Sequence, residues 1–281
     1  MCLAVVALDA HPQYRVVIAA NRDEFHARPA APAHWWASGM LAGQDLVGGG
    51  AWFGVSRGVR WALVTNFREG IPRDPNAPSR GELVTGALLD PSAPLLCAAS
   101  IACDGARYHG FNLLLGEVAA RPHPSAKKRR EMPEPPPDDR STAAYASNRA
   151  SGAIALAAGV HGLSNHLLDT PWPKLVRCKA GLADALDNPT LDSADIFALL
   201  ADRVPAGDAT LPMTGVSREW ERMLSSAFIV SPEYGTRCST VFTLGRDGSA
   251  NFVERSFDAA GNMTDETAHA FTVAVPAHQR S

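Results

Sequence analysis

A cysteine stands at position 2, and an unbroken apolar run, Leu3-Ala4-Val5-Val6-Ala7-Leu8, begins directly behind it. A second apolar run, Arg15 to Ala20, follows after the turn-forming segment Asp9-Ala10-His11-Pro12-Gln13, so the two predict a hairpin. Trp52 to Ser56 and Arg60 to Asn66 predict another across Arg57-Gly58-Val59. The chain is thus committed to sheet from its first residues, with Cys2 at the start of a buried strand.

Removal of Met1, usual ahead of a small residue, gives Cys2 a free α-amino group. Such an amine has a pKa of about 7.7 to 8.0 and a free thiol about 8.5, so near neutral pH the amine can accept the thiol proton. N-terminal Thr, Ser and Cys hydrolases use this arrangement, with the amine in the place of a triad histidine. A buried cysteine is otherwise an ordinary small hydrophobe, and position alone leaves both readings open.

Further along, Ser79-Arg80-Gly81-Glu82 ahead of Leu83, Val84, Ala87 and Leu88 predicts a capped helix, and Pro94 to Cys103 a second. Phe111 to Leu115 reads as strand. Helices are expected over 173–186, 193–202 and 217–225, then strands over 228–230, 239–244 and 251–255. Strands, then helices, then strands, without regular alternation, predict a layered α+β chain. One domain spans residues 1–281, with a Pro- and charge-rich exposed loop around 121–140 and a loose tail from about residue 265. Gly48-Gly49-Gly50 reads as a tight bend, since no Lys-Ser/Thr follows to make a phosphate loop.

Hydrophobic residues are 46% of the chain and the net charge is −3, which argues against nucleic acid as a partner and for a small molecule. Lys127-Lys128-Arg129-Arg130 reads as solvated surface. No apolar stretch approaches the ~18 residues that cross a bilayer, and no basic leader segment opens the chain. Cys2, Cys97, Cys103, Cys178 and Cys238 lack paired spacing, so neither a disulfide framework nor a metal site is expected, and the setting reads as reducing and cytoplasmic. Cys97, Cys103 and Cys178 read as packing residues.

Polar residues stand out where strands should end: the tetrad Asn21-Arg22-Asp23-Glu24, Asn66, Asn165 and Arg237. Asn21, Arg22, Trp52, Phe67 and His161 are candidates to line a substrate pocket. Taken singly, each admits a structural role, as turn former, strand-end ion pair or surface cation.

Met1-Cys2-Leu3, the Asn-Arg-Asp-Glu tetrad at 21–24, Gly49-Gly50-Ala51-Trp52-Phe53-Gly54, Thr65-Asn66-Phe67-Arg68, Ser79-Arg80-Gly81-Glu82-Leu83, Gly162-Leu163-Ser164-Asn165, Thr170-Pro171-Trp172-Pro173-Lys174 and Tyr234-Gly235-Thr236-Arg237 together resemble the NRDE family, also called the transport and Golgi organisation family. The resemblance runs from residue 1 to about 257. That family is similar to N-terminal nucleophile hydrolases of the penicillin V acylase and bile salt hydrolase group. The resemblance implies a four-layer αββα sandwich of two antiparallel sheets, with Cys2, Asp23, Asn66, Asn165 and Arg237 as the catalytic set.

In that scheme Asp23 orients the amine, Asn66 with the backbone amide after it holds an oxyanion, Asn165 steadies amine or substrate, and Arg237 places a cation near the sulfur. No cofactor is required. Two functions follow: hydrolysis or transfer of an acyl group at an amide or thioester, or non-catalytic binding and trafficking of haem, acyl-coenzyme A or lipid in the same cleft. His161, His166 and Cys2 are the candidate haem ligands. Cys238, where the family pattern leads one to expect serine, reads as a bystander thiol.

Overall fold

The computed structural model describes residues 2–58, 60–71, 74–118 and 141–273. Met1, the loop expected at 121–140 and the last eight residues of the expected tail lie outside the described residues.

Thirteen strands among the described residues form two sheets. The first contains β1 (Cys2–Leu8), β2 (Tyr14–Phe25), β10 (Gly159–Leu163), β11 (Tyr234–Gly245), β12 (Ser249–Phe257) and β13 (Met263–Thr272), in the order β10-β1-β2-β11-β12-β13. The second contains β3 (Ala30–Trp35), β4 (Met40–Asp45), β5 (Phe53–Ser56), β6 (Arg60–Asn66), β7 (Phe111–Val118), β8 (Ser141–Ser147) and β9 (Ala153–Ala155) in chain order. Every pairing is antiparallel. Among the described residues five α-helices accompany the sheets: α1 (Gly81–Leu89), α2 (Pro94–Cys103), α3 (Pro173–Leu186), α4 (Ser193–Leu200) and α5 (Arg218–Met223).

The layers follow from side-chain alternation along the strands. Ala4, Val6 and Leu8 of β1, with Val16, Ile18 and Ala20 of β2, point between the sheets and meet Leu41, Phe53, Leu63 and Leu114. Leu3, Val5, Ala7, Val17 and Ala19 point the other way, onto Leu175, Cys178, Leu182, Ile196 and Leu200 of α3 and α4. The outer face of the second sheet packs Ala42, Val64 and Leu113 against Val84, Leu88, Cys97 and Ala98 of α1 and α2. This is the αββα sandwich. A strand covered on both faces must be apolar throughout, which is why β1 reads as a continuous run.

Several expectations are corrected. Residues 265–272, read as loose tail, belong to β13, which pairs with β12 as an edge strand; its polar, mostly exposed side chains leave no apolar pattern to read. Phe228-Ile229-Val230 is not a strand. It is a linker anchored by Phe228 N–H on the Asp202 carbonyl at 2.8 Å and Ile229 N–H on the Thr236 hydroxyl at 2.9 Å, and the strand begins later, at Tyr234. Cys103 is exposed, unlike the buried Cys97 and Cys178. The glycine bend holds: Gly49 has φ +72° and donates to the Asp45 carbonyl at 2.8 Å, while a Cβ on Gly50 would lie 2.4 Å from the Gly81 carbonyl carbon.

Candidate functional site

The site gathers where interior strands of the two sheets end, β1 and β2 of the first and β6 of the second. Cys2 pairs with Arg22, the last rung of the β1–β2 ladder, so Asp23 is the first residue of β2 beyond β1's register and lies beside the amino end of Cys2. From the facing sheet, β6 ends at Asn66. Cys2, Arg22, Asp23 and Asn66 line one hollow of about 450 Å3, together with Arg28, Asp45, Trp52, Arg80 and His109. Strand ends on a rigid sheet are well placed to present side chains to a cleft.

Cys2 is 9% exposed. Burial pushes its thiol up, while the Arg22 guanidinium and the Asp23 backbone N–H, a donor to the sulfur, pull the other way. Asp23 is fully buried; its Oδ1 accepts the Thr236 hydroxyl at 2.7 Å and its backbone carbonyl the Tyr234 hydroxyl at 2.9 Å. Burial raises its carboxyl, and Lys174 is the foremost group opposing that rise. Arg22 spans to Asp45 at 3.0 Å, and the same carboxylate takes Arg28 at 2.6 Å and the N–H groups of Val47 and Gly48.

Asn165 is 0% exposed and sits behind Asn66. Its Nδ2 donates to Asn66 Oδ1 at 3.0 Å and to the Asn66 carbonyl at 3.2 Å, turning the Asn66 amide so that its own NH2 is the free end. Asn165 Oδ1 accepts the Ser164 hydroxyl at 3.4 Å and Arg68 Nη2 at 3.5 Å, and the Ser164 hydroxyl also reaches the Cys2 carbonyl at 3.3 Å. Arg68 is held by Glu221 at 2.6 Å, both almost wholly buried. Asn165 therefore fixes Asn66 and does not itself line the hollow.

Two expected roles change. The backbone amide after Asn66 is not open to a ligand, because Phe67 N–H donates to the Gly110 carbonyl at 2.9 Å. Arg237 does not face the sulfur. Thr236 pairs with Asp23 and Cys238 with Arg22, so Arg237 is the extra residue of a β-bulge, and its Nη1 donates to the carbonyls of Phe25, His26 and Arg28, each at 3.1 Å. It lines a neighbouring hollow of about 280 Å3 with Arg22, Trp52, Cys238 and Glu254. The cation facing Cys2 is Arg22.

Of the pocket candidates, Arg22 and Trp52 line the hollow of Cys2, and Phe67 lines an adjoining one of about 390 Å3 that shares Glu24, Asn66, Arg80 and His109 with it. Asn21 does not: it faces the helices, donating to the Leu200 and Ala227 carbonyls at 2.8 Å and accepting the Ser239 hydroxyl at 2.6 Å. His161 lies away from both hollows, with Nε2 against the Ala157 carbonyl at 2.8 Å and Nδ1 3.5 Å from Asp169. His166 contacts the Thr170 hydroxyl and tilts against the Phe67 ring, 4.8 Å between centroids. No group of three or more metal-ligating side chains occurs among the described residues.

A family model described as Transport and Golgi organisation 2 matches residues 1–259. The chain belongs to that family. Curated relatives include the Transport and Golgi organization protein 2 homologs of Bos taurus, 33% identical over 275 residues, and Homo sapiens, 32% identical over 275 residues; each alignment covers 91% of this chain and 93% of the relative. The Drosophila melanogaster protein is 29% identical over 143 residues, covering 46% of this chain and 50% of its own length. Among solved structures, penicillin V acylase from Agrobacterium tumefaciens aligns with a TM-score of 0.46 at 11% identity, covering 91% of this chain and 83% of that one. A C2A mutant of conjugated bile acid hydrolase from Clostridium perfringens aligns at 0.45 and 9% identity, covering 100% of each chain. Each is a likeness of arrangement and assigns no activity.

Sequence reasoning gave no role to Lys174, Arg68 or Thr236, although all three stand inside the family's motif segments; Glu221, on the short and mostly charged α5, carries no signal at all.

Proposed function

We propose that, once Met1 is removed, this member of the Transport and Golgi organisation 2 family acts as a cysteine N-terminal nucleophile, hydrolysing or transferring an acyl group at an amide or thioester. The observation that carries the reading is the meeting of Cys2, Asp23 and Asn66 on one hollow. In this reading the α-amine takes the Cys2 proton, and the thiolate attacks the carbonyl carbon. The oxygen gains the electron pair and is held by the Asn66 NH2. The tetrahedral adduct collapses as the amine returns the proton to the departing nitrogen or sulfur, leaving an acyl-cysteine; water or another acceptor then releases the acyl group and the thiol regains its proton.

The adjoining hollow supports an apolar acyl chain. Phe25, Phe67, Ile71, Val216, Trp220 and Tyr234 give it an apolar side, beside the charged Glu24, Arg68, Glu69 and Arg80, and it meets the polar hollow at Asn66, where the carbonyl would lie. The leaving group would then occupy the side carrying Arg28, Arg80 and His109.

A second reading is binding without turnover, and burial of the thiol, which favours its protonated form, supports it. The ligand would be haem, acyl-coenzyme A or a lipid in the same hollows. Neither His161 nor His166 fits as a haem ligand there, since neither lines a hollow. A cytoplasmic setting remains part of the proposal; among the described residues no helix is long and apolar enough to cross a membrane.

The test is a panel of acyl amides and acyl-coenzyme A thioesters, assayed with protein shown by intact mass to lack Met1 and with its Cys2→Ala variant. Release that depends on Cys2 supports the hydrolase. Release that persists in Cys2→Ala, or in protein that keeps Met1, overturns it.

A further inference from the structure

Lys174 is placed where a cation is costly three times over. It is the second residue of α3, behind Pro173, at the helix end whose dipole disfavours positive charge. It is 1% exposed, and its Nζ has no hydrogen-bond acceptor among the described residues. Burying an ammonium without a bonded partner is expensive, and a hydrophobic residue of similar length on the buried face of this amphipathic helix would be cheaper.

The groups that act electrostatically on Lys174 come from four elements: Asp23 of β2, foremost, then Arg68 just beyond β6, Cys178 one turn on in α3, and Cys2 of β1. Asp23 is the one carboxylate among them. The dependence runs both ways, because Asp23 is itself buried and Lys174 is the largest influence lowering its carboxyl, ahead of the Thr236 hydroxyl and of Arg68. Arg68 is committed to Glu221 at 2.6 Å. A buried carboxyl without a cation takes up a proton, and a neutral carboxyl no longer attracts an ammonium.

We propose that Lys174 is a positioning residue of the Cys2 site, whose ammonium keeps Asp23 ionised so that the carboxylate can hold and orient the α-amine of Cys2. This rests on the reading of Cys2 as an N-terminal nucleophile. Lys174 does not line the thiol's hollow, and Asp23 is the foremost group through which it acts. Burial draws its own ammonium down to about 8 while Asp23 pulls it back, as expected of two groups that share their ionisation.

Lys174→Met keeps the length and removes the charge, and Lys174→Gln serves if the first fails to fold. The readout is the 13C carboxyl resonance of Asp23 across pH in Met1-free protein, assigned with Asp23→Asn, beside the pH profile of Cys2 alkylation by iodoacetamide. The expected result is an Asp23 titration at least one pH unit higher in the variant than in the wild type, with the acid limb of Cys2 reactivity moving the same way. A structural lysine would change the melting temperature and leave both profiles where they were. An unmoved Asp23 resonance beside a reactive Cys2 overturns this inference alone; a Cys2 that alkylates in neither protein overturns the nucleophile reading and this inference with it.

Discussion

At the scale of single residues, the site is a chain of fixed amides. Asn165 spends its NH2 on Asn66, and this orients the Asn66 NH2 toward the hollow. If that NH2 meets the oxyanion, Asn66→Ala lowers kcat by about 10² to 10³ with little change in KM, because the bond strengthens only as the carbonyl becomes tetrahedral. Steady-state kinetics on the best substrate of the acyl panel checks this, and an equal loss in both parameters would mean that Asn66 merely binds ground state. Asp23 and Asn66 were legible in the sequence, since a polar residue ending an apolar strand must be offered to something. Lys174 and Glu221 were not. Each sits in a helix whose surface pattern explains a charge without further comment, and only the fold shows that these two charges point inward.

At the scale of elements, the bulge in β11 decides which cation serves the thiol. One extra residue between Thr236 and Cys238 keeps Thr236 opposite Asp23 and sends Arg237 out to bind the chain at 25–28. Sequence order carries no mark of a bulge, so the family pattern points to Arg237, where the structure brings its neighbour Thr236 to Asp23. The sign of the effect is testable. A cation beside a thiol lowers its pKa, so Arg22→Met moves the midpoint of Cys2 alkylation to higher pH, whereas Arg237→Ala leaves it within about 0.3 of a unit, where one unit corresponds to about 1.4 kcal/mol. A shift with Arg237→Ala as large as that with Arg22→Met would contradict this assignment. The polar tetrad shows the same limit: it reads as the end of a strand, yet β2 runs on to Phe25, because its last rungs are held by β11 and not by β1.

At the scale of the whole molecule, the order of strands and helices made a layered α+β chain legible and the family resemblance implied the sandwich, while the sheet edges were not legible. β3, β9 and β13 are short or polar, and their place is set by neighbours already in register. The two sheets bring the start of β1 and the end of β6 to one hollow, and that meeting carries the proposal that the chain's second residue is a nucleophile. One measurement tests this most directly: Met1-free protein is mixed with an acyl-coenzyme A thioester, quenched in acid within the first turnovers and digested for peptide mass. The account predicts an acyl group on the Cys2 peptide, absent from Cys2→Ala. An acyl group found instead on the exposed Cys103, or no adduct on any cysteine while thioester is consumed, would contradict it.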